Sequence, residues 1–550
     1  MHMKKIFYSI VAVAALFTVA SCSQDRLEIP QKGVTPYESF YQTDEDAQSA
    51  LNAAYAALAE NICSCGDAHV VVPYYAIFNL CGDDMIAAGA YYGDNDYLPS
   101  MNEFRYDNQI RPIIFGYDVF YLTIYKCNLV IDNFKDGTSA IQKRCVAEAR
   151  TLRAWLHMCV AILWGCPPLV DHVLTGDAKP YNCDLDPDRP MSHEDLLAWC
   201  GDECMAAAPD LEERKSPLDK NGAVKITQGF AYGVAGRSYL FAGSQYYDKS
   251  KAALKKVIDS GKYELVPGER MNEIFHVAGD GNEEKVFECN VVCDPSISSF
   301  TMYFRSKWQH TQMFCWKTPR FTKMPTCCGI EGWGMCAPSE SFTKALIEND
   351  GIDSWRRKMS IINIEEVCDK YEAEGISDVV GIYGNHEWLM FKYICTPEDM
   401  YQKTSDANFV LMRYAEILLM YAEVCALTND NDGLKYLNMI QERAGSKHIS
   451  SSLTLQEVKN EKLFELWLEG HRWPDMCRYQ EFDGVMNAGK NIPTLYDAKY
   501  TGKDSPTRFY VEHTNPNPNS TGFQRGKHEL LPYPDYEILV NPNMKQNPGW

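Results

Sequence analysis

Trp308, Trp316 and Trp333 stand among Lys307, Gln309, His310, Gln312 and Arg320, and a second aromatic group, Tyr91, Tyr92 and Tyr97, surrounds Asp94, Asn95 and Asp96. Flat apolar rings beside amides, carboxylates and cationic groups are suited to holding a sugar. The axial hydrogens of a pyranose form an apolar patch that stacks on an indole or phenol ring, while its hydroxyls need polar partners at the rim. Trp308, Trp316, Trp333, Tyr91, Tyr92, Tyr97 and Asn95 are therefore the candidate ligand-binding residues. Ordinary packing in a core or interface is the competing explanation for each ring.

Catalysis finds less support. A glycosidase needs two carboxylates converging across a cleft at about 5–9.5 Å. The sequence offers only the adjacent acids Asp83-Asp84 and Glu283-Glu284, which as neighbours do not converge. Gly-x-Ser-x-Gly, His-Glu-x-x-His and a phosphate-cradling glycine loop are all missing from the sequence. Cys63-x-Cys65 with His69 lacks a second pair of zinc ligands, and Asp430-Asn-Asp-Gly433 reads as a turn, with Met439 where a calcium loop needs a bidentate glutamate. No metal or cofactor is called for.

The start of the chain directs it to a membrane surface. Lys4 and Lys5 precede an apolar and small-residue run from Ile6 to Ala20, followed by Ser21 and Cys22. The run is too short, and too soon followed by polar residues, to span a bilayer well. Residues 1–21 thus read as an export signal, and Cys22 as the acylated first residue of a bacterial lipoprotein. Acyl chains contribute roughly 0.8 kcal/mol per buried methylene, so several chains anchor a body durably. The net charge of −21 argues against nucleic acid and against an anionic membrane surface as partners. Of the 21 cysteines, Cys63 with Cys65 and Cys327 with Cys328 lie close enough in sequence to oxidise, but small buried hydrophobe is the commoner role.

The elements that must position the aromatic groups are mainly helices. Thr43-Asp-Glu-Asp46 is a capping box ahead of a helix over Ala47 to Glu60. Apolar residues recur at three and four from Pro112 to Asn133, and Glu148 to Trp164 is apolar around most of its circumference and stops at Gly165. Further pairs are predicted at Val224–Ala242 with Tyr247–Ser260, and at Asn408–Leu427 with Asp432–Ala444. In the first of these, Gly229, Gly233 and Gly236 admit a close neighbour. Thr454 caps a last helix to Gly470. Two-helix units of this length form tetratricopeptide-like arrays, because one unit cannot bury its apolar face alone. From about Val266 to Asp406 the texture turns to Gly, Pro, Cys and aromatic residues, a loop-rich elaboration of the kind that carries function. The prediction is a mainly α helical-hairpin array with large loop-rich insertions and minor β. It forms a single body over 22–550, with an N-terminal repeat part at 23–265 and a ligand-facing part with C-terminal helices and tail at 266–550.

Several strings, in order, resemble the SusD/RagB lipoproteins of glycan-scavenging Bacteroidota across nearly the whole chain. They are Cys22-Ser-Gln-Asp-Arg-Leu-Glu-Ile-Pro30, Glu148-Ala-Arg-Thr-Leu-Arg-Ala154 running into Trp164-Gly-Cys-Pro-Pro-Leu-Val170, and Lys256-Val-Ile-Asp-Ser-Gly-Lys-Tyr-Glu-Leu265. Arg413-Tyr-Ala-Glu-Ile-Leu-Leu-Met-Tyr-Ala-Glu423, Leu437-Asn-Met-Ile-Gln-Glu-Arg-Ala-Gly445 and Glu465-Leu-Trp-Leu-Glu-Gly-His-Arg-Trp-Pro-Asp475 are closer still. Leu531-Pro-Tyr-Pro-Asp-Tyr-Glu-Ile-Leu-Val-Asn-Pro542 with Gln546-Asn-Pro-Gly-Trp550 looks like the family's terminal strand and cap. Gln441, where the family often has arginine, and Lys459 to Leu463, which lack its Glu-Arg-Arg run, depart from the pattern. The resemblance implies four tetratricopeptide-like units and a non-enzymatic glycan-binding lipoprotein on the outer face of the outer membrane. It would hold oligo- or polysaccharide and cap a SusC-like TonB-dependent transporter. Capture of peptide or glycoprotein by the same architecture, and a surface glycoside hydrolase, are the alternatives. The Glu-Gly-His-Arg run, with His471 and Arg472 as buried structural groups, is expected to tie helices together by charge-assisted hydrogen bonds.

Overall fold

A computed structural model describes residues 40–59, 73–87, 96–290, 325–372, 388–401, 404–485, 495–499, 509–513 and 522–550. Helix α1 (Asp44–Ala57) begins on the expected capping box: the Thr43 hydroxyl accepts from the Asp46 amide at 3.1 Å, and the Asp46 carboxylate accepts from the Thr43 amide at 2.9 Å. Short helices α2 (Pro73–Asn79) and α3 (Tyr97–Asn102) flank strand β1 (Met85–Ala87). Helices α4 (Arg111–Phe134) and α5 (Ala140–Trp164) pair as expected, but α5 starts two turns earlier than its apolar run. Ser139 supplies the cap, accepting from the Gln142 amide, and Gly165 ends the helix at φ 77°. By length and its mean hydropathy of 1.2, α4 could cross a membrane; here it packs against α1 and α5 as a core helix.

The array continues through α6 (His193–Ala207), α7 (Lys220–Ala223), α8 (Gln228–Phe241) and α9 (Tyr247–Asp259), each long helix packing on the next. Leu254 lies where a Cβ on Gly236 would stand, and Met412 and Ile417 press in the same way on Gly233. Close seating of neighbouring side chains on the α8 backbone is thus what those glycines allow.

The stretch expected to be loop-rich contains strand β2 (Lys285–Cys289), strand β3 (Cys336–Pro338) and helices α10 (Glu340–Asp350) and α11 (Trp355–Ser360). Strand β4 (Ile361–Asn363), helix α12 (Ile364–Lys370), strand β5 (Trp388–Met390) and the two-residue strands β6 (Met400–Tyr401) and β7 (Thr404–Ser405) follow. The predicted helix from Asn408 is corrected: Phe409–Arg413 is strand β8, and helix α13 (Tyr414–Leu427) begins only after it. The reason is its pairing. Phe409 to Met412 form an antiparallel ladder with β2, and Arg413 keeps extended dihedrals of −130° and 162°.

Helix α14 (Gly433–Ala444) completes the third hairpin, ending on left-handed Gly445. Helix α15 (Leu455–Glu465) stops short of the expected Gly470, because Leu468 and Gly470 turn the backbone through φ 61° and 81°. Helix α16 (Arg472–Tyr479), strands β9 (Leu495–Lys499) and β10 (Phe509–His513), and helix α17 (Asp535–Val540) complete the chain. The expected terminal strand is therefore corrected to a helix, opened by Pro534 at φ −52°, just before its first residue. Among the described residues the β structure is confined to five two-stranded sheets on a tetratricopeptide-like helical array. No described cysteine is bridged; Cys127, Cys145, Cys159, Cys200 and Cys204 are small core residues.

A buried ionic hub fixes the C-terminal half. Arg413, at the end of β8, donates to Glu284 at 2.7 Å, Glu465 at 2.6 Å and Glu469 at 2.7 Å. Arg443 reaches Glu284 at 2.8 Å and Glu465 at 2.5 Å, while Arg356 forks onto Asp350 at 2.6 and 2.7 Å and touches Glu461 and Glu465. Burial alone would raise the Glu465 carboxyl, but Arg443, Arg413 and Arg356 outweigh it and hold that group far below the usual carboxylate range. Buried charge is tolerable only when so fully paired. The resembling strings around Arg413, Arg443 and Glu465 meet here as scaffold.

Candidate functional site

The two aromatic zones of the sequence are joined at their roots. Strand β1 pairs antiparallel with β3, Met85 opposite Pro338, Ile86 opposite Ala337 and Ala87 opposite Cys336. The zone holding Tyr91 to Tyr97 starts just beyond Ala87, and Trp333 lies three residues before Cys336. A short, buried ladder thus brings one end of each zone together.

Asn102 fixes the return of the first zone. Its buried amide donates to the carbonyls of Leu80 at 2.7 Å and Met85 at 3.4 Å, and its oxygen accepts from the Ala87 amide at 3.2 Å. Because Asn102 ends α3 and Ala87 ends β1, one side chain ties the departure of the chain to its re-entry. On the other strand, Ser339 caps α10. Its hydroxyl donates to the Asp83 carbonyl at 2.7 Å and accepts from the Phe342 amide at 3.2 Å. Trp467 closes the base from below, donating its indole N–H to the Asp84 carbonyl at 3.0 Å while stacking on Phe342 at 4.8 Å between ring centres. Lys392 links this base to the hub, donating to the Trp467 carbonyl and to Glu469, each at 2.6 Å.

The acids of this base are structural. Arg472 grips Asp83 with two bonds of 2.6 and 2.7 Å. Asp84 is buried, and burial together with the neighbouring charge of Asp83 pushes its carboxyl up to about 7. The other adjacent pair is consumed as well: Glu283 meets Arg270 at 2.9 Å, and Glu284 belongs to the hub. None of the four is part of a carboxylate pair free to act across a cleft. His471 is buried with Glu416 at 3.6 Å, as expected, whereas Arg472 remains partly exposed at its ion pair. Asp430, in the calcium-like turn, is paired with Lys251.

Of the seven candidate ligand-binding residues, Tyr97 and Trp333 are described. Tyr97 opens α3 and Trp333 precedes β3; each is half-buried with its apolar part against the main core. Trp308, Trp316, Tyr91, Tyr92 and Asn95, like Cys22, Cys63, Cys65 and His69, lie outside the described residues. Asn102 and Ser339 are not singled out by the sequence, and Trp467 stands there only within the resembling string Glu465 to Asp475. Only Ser339 carried a signal, a serine before Glu340 at the head of a short amphipathic run.

The chain has relatives of known kind. A profile described as the SusD family matches residues 239–550. A SusD-like protein P2 from Formosa agariphila is 23% identical over 571 residues, spanning 100% of both chains. Among solved structures, surface glycan-binding protein A from Bacteroides thetaiotaomicron superposes with a TM-score of 0.72 at 19% identity, covering 92% of this chain and 99% of that one. The same protein in complex with laminarihexaose gives 0.71 at 18% identity, covering 92% and 100%.

Proposed function

The chain belongs to the SusD family, and from that premise we propose that it is a lipid-anchored protein of the outer membrane, facing the cell exterior, that captures oligosaccharide and delivers it to a SusC-like TonB-dependent transporter. The observation that carries the reading is the β1 and β3 ladder, because it gives both aromatic zones a common rigid root. Tyr97 and Trp333 are held against the core beside this root, and each well-placed aromatic contact contributes on the order of 0.5–1.5 kcal/mol beyond area burial. Several contacts of that size hold an oligosaccharide while leaving it exchangeable, which is what transfer to a second protein requires. Trp308 and Trp316 supply the principal stacking faces, with Trp333, Tyr91, Tyr92 and Tyr97 around them and Asn95 at the polar rim. Acyl chains on Cys22 hold the body at the membrane. The commitment of Asp83, Asp84, Glu283 and Glu284 to the frame supports binding without hydrolysis.

Calorimetry against a glycan panel, with laminarihexaose as the first probe, tests this reading. Saturable binding is expected, weakened by roughly tenfold or more in Trp308→Ala and Trp316→Ala, with no new reducing ends released. Absence of binding to every oligosaccharide, or release of reducing ends, overturns it. Retention in the outer-membrane fraction, lost in Cys22→Ala, tests the anchor, and co-purification of a TonB-dependent receptor from solubilised membranes tests the partner.

A further inference from the structure

A second candidate site lies away from the ladder, where α4 faces α17 across the segment 168–180. Tyr117, Tyr121 and Tyr125 follow one another at four-residue spacing along one face of α4 and line a cavity of about 400 Å³. That volume is within the roughly 300–1,000 Å³ of small-ligand pockets. Tyr117 forms the buried floor, Tyr121 is fixed by donating its hydroxyl to the Pro168 carbonyl at 2.7 Å, and Tyr125 stands at the mouth, 43% exposed.

Two carboxylates share this lining, Asp118 from α4 and Glu537 from α17. Asp118 accepts the Tyr536 hydroxyl, yet among the described residues no lysine, arginine or histidine forms an ion pair with either acid. Lys179 and His172 share the lining; Lys179 acts on Glu537 from longer range, and His172 pairs with Asp171 at 3.0 Å. Burial raises both carboxyls, and the charge of Asp118 raises Glu537 further. A guest that brings positive charge relieves that cost; an anion adds to it. Val540, in the lining, is 55% exposed, and next to lining residues in sequence stand the exposed Leu122 at 44% and Leu539 at 76%. A neutral sugar needs hydroxyl partners around its ring, and the amides of the lining are already spent, Asn128 on the Val170 and His172 carbonyls and Asn541 on the Pro180 carbonyl.

We propose that this cavity is a docking pocket for a basic side chain, an arginine above all, carried on an apolar-flanked segment of a partner protein. A planar guanidinium stacks on tyrosine faces and bridges two carboxylates at once, which a compact ammonium does less well. The aliphatic rim then seals the contact from water, the arrangement in which a buried arginine becomes an interface anchor.

Saturation-transfer NMR on the purified protein tests this with N-acetyl-arginine methylamide as the probe, the uncharged citrulline counterpart as control, and glucosamine as a cationic sugar. Saturable transfer to the arginine side chain is expected. It should weaken on the order of tenfold in Tyr125→Ala and in the double variant Asp118→Asn with Glu537→Gln, both of which alter partly exposed groups and should keep the parent's melting temperature. No saturable transfer from the arginine probe, equal transfer to citrulline, preference for glucosamine, or indifference to both variants each overturns the proposal.

Discussion

Glu465 in the ionic hub and Asp84 under the β1 and β3 ladder are both buried carboxylates with cations nearby, and their acidities move in opposite directions. Glu465 has three arginines converging on it, so its charge is stabilised despite burial. Asp84 has Asp83 beside it, and Asp83 takes both hydrogen bonds of the one arginine within reach. Residue type and burial do not decide the state of such a group; the ownership of the nearest cation does. The hub is therefore a closed clamp around a charged Glu465. The base of the β1 and β3 ladder carries one acid whose carboxyl is pushed up to about 7.

The strongest way to break the contrast is Arg413→Met. It leaves Glu284, Glu465 and Glu469 under-compensated in the interior, at a cost of about 3–5 kcal/mol read as a shift in the denaturant midpoint. An effect below that of an ordinary surface substitution would show the hub to be dispensable. Next in size is Asp84→Asn. The Asp84 carboxyl titrates near 7 when folded, against about 3.9 unfolded, so the folded state binds more protons between those values and loses stability as the pH rises through that window. Asparagine cannot ionise. The variant should melt above the parent at pH 8, by a difference on the order of 2 kcal/mol, and level with it at pH 4. Glu465 has the opposite sign, its stabilisation present at neutral pH and lost only in strong acid.

Asp83→Asn sharpens the comparison further. It forfeits part of a mostly buried ion pair, at about 1 kcal/mol, but frees Arg472 and removes the repelling charge. The pH at which melting falls off should move downward, toward the ordinary aspartate range. Smallest is Asp118→Asn in the tyrosine-lined cavity, where no cation is lost. A change within about 0.5 kcal/mol is expected by thermal melting, and a large loss would place Asp118 in the frame with the hub acids.

Helices with strong local signals were legible in the sequence. The Thr43 and Thr454 caps and Gly165 act through their own neighbours, and the structure uses each of them. Helix α6 passed unnoticed although Ser192 and Asp195 form a capping box, because its hydrophobic residues show little periodicity. Strand β8 was mistaken for helix because an unbroken apolar run of four, Phe409 to Met412, fits either state, and only β2, far away in sequence, decides it. The aromatic groups announced themselves by composition. Their common root did not, since β1 and β3 are three residues each and meet through long-range pairing. Asn102 is an ordinary helix-terminal asparagine until the fold places both Leu80 and Ala87 beside it.

The pairing of Ala87 with Cys336 carries one more consequence. The two segments proposed to hold the sugar thus leave from and return to one short ladder, whose base is tied to the hub through Lys392. On the proposed function, exchanging both segments as a set, with the joints cut at those two residues, is expected to transplant selectivity without rebuilding the frame. Exchanging only one would leave half a grip.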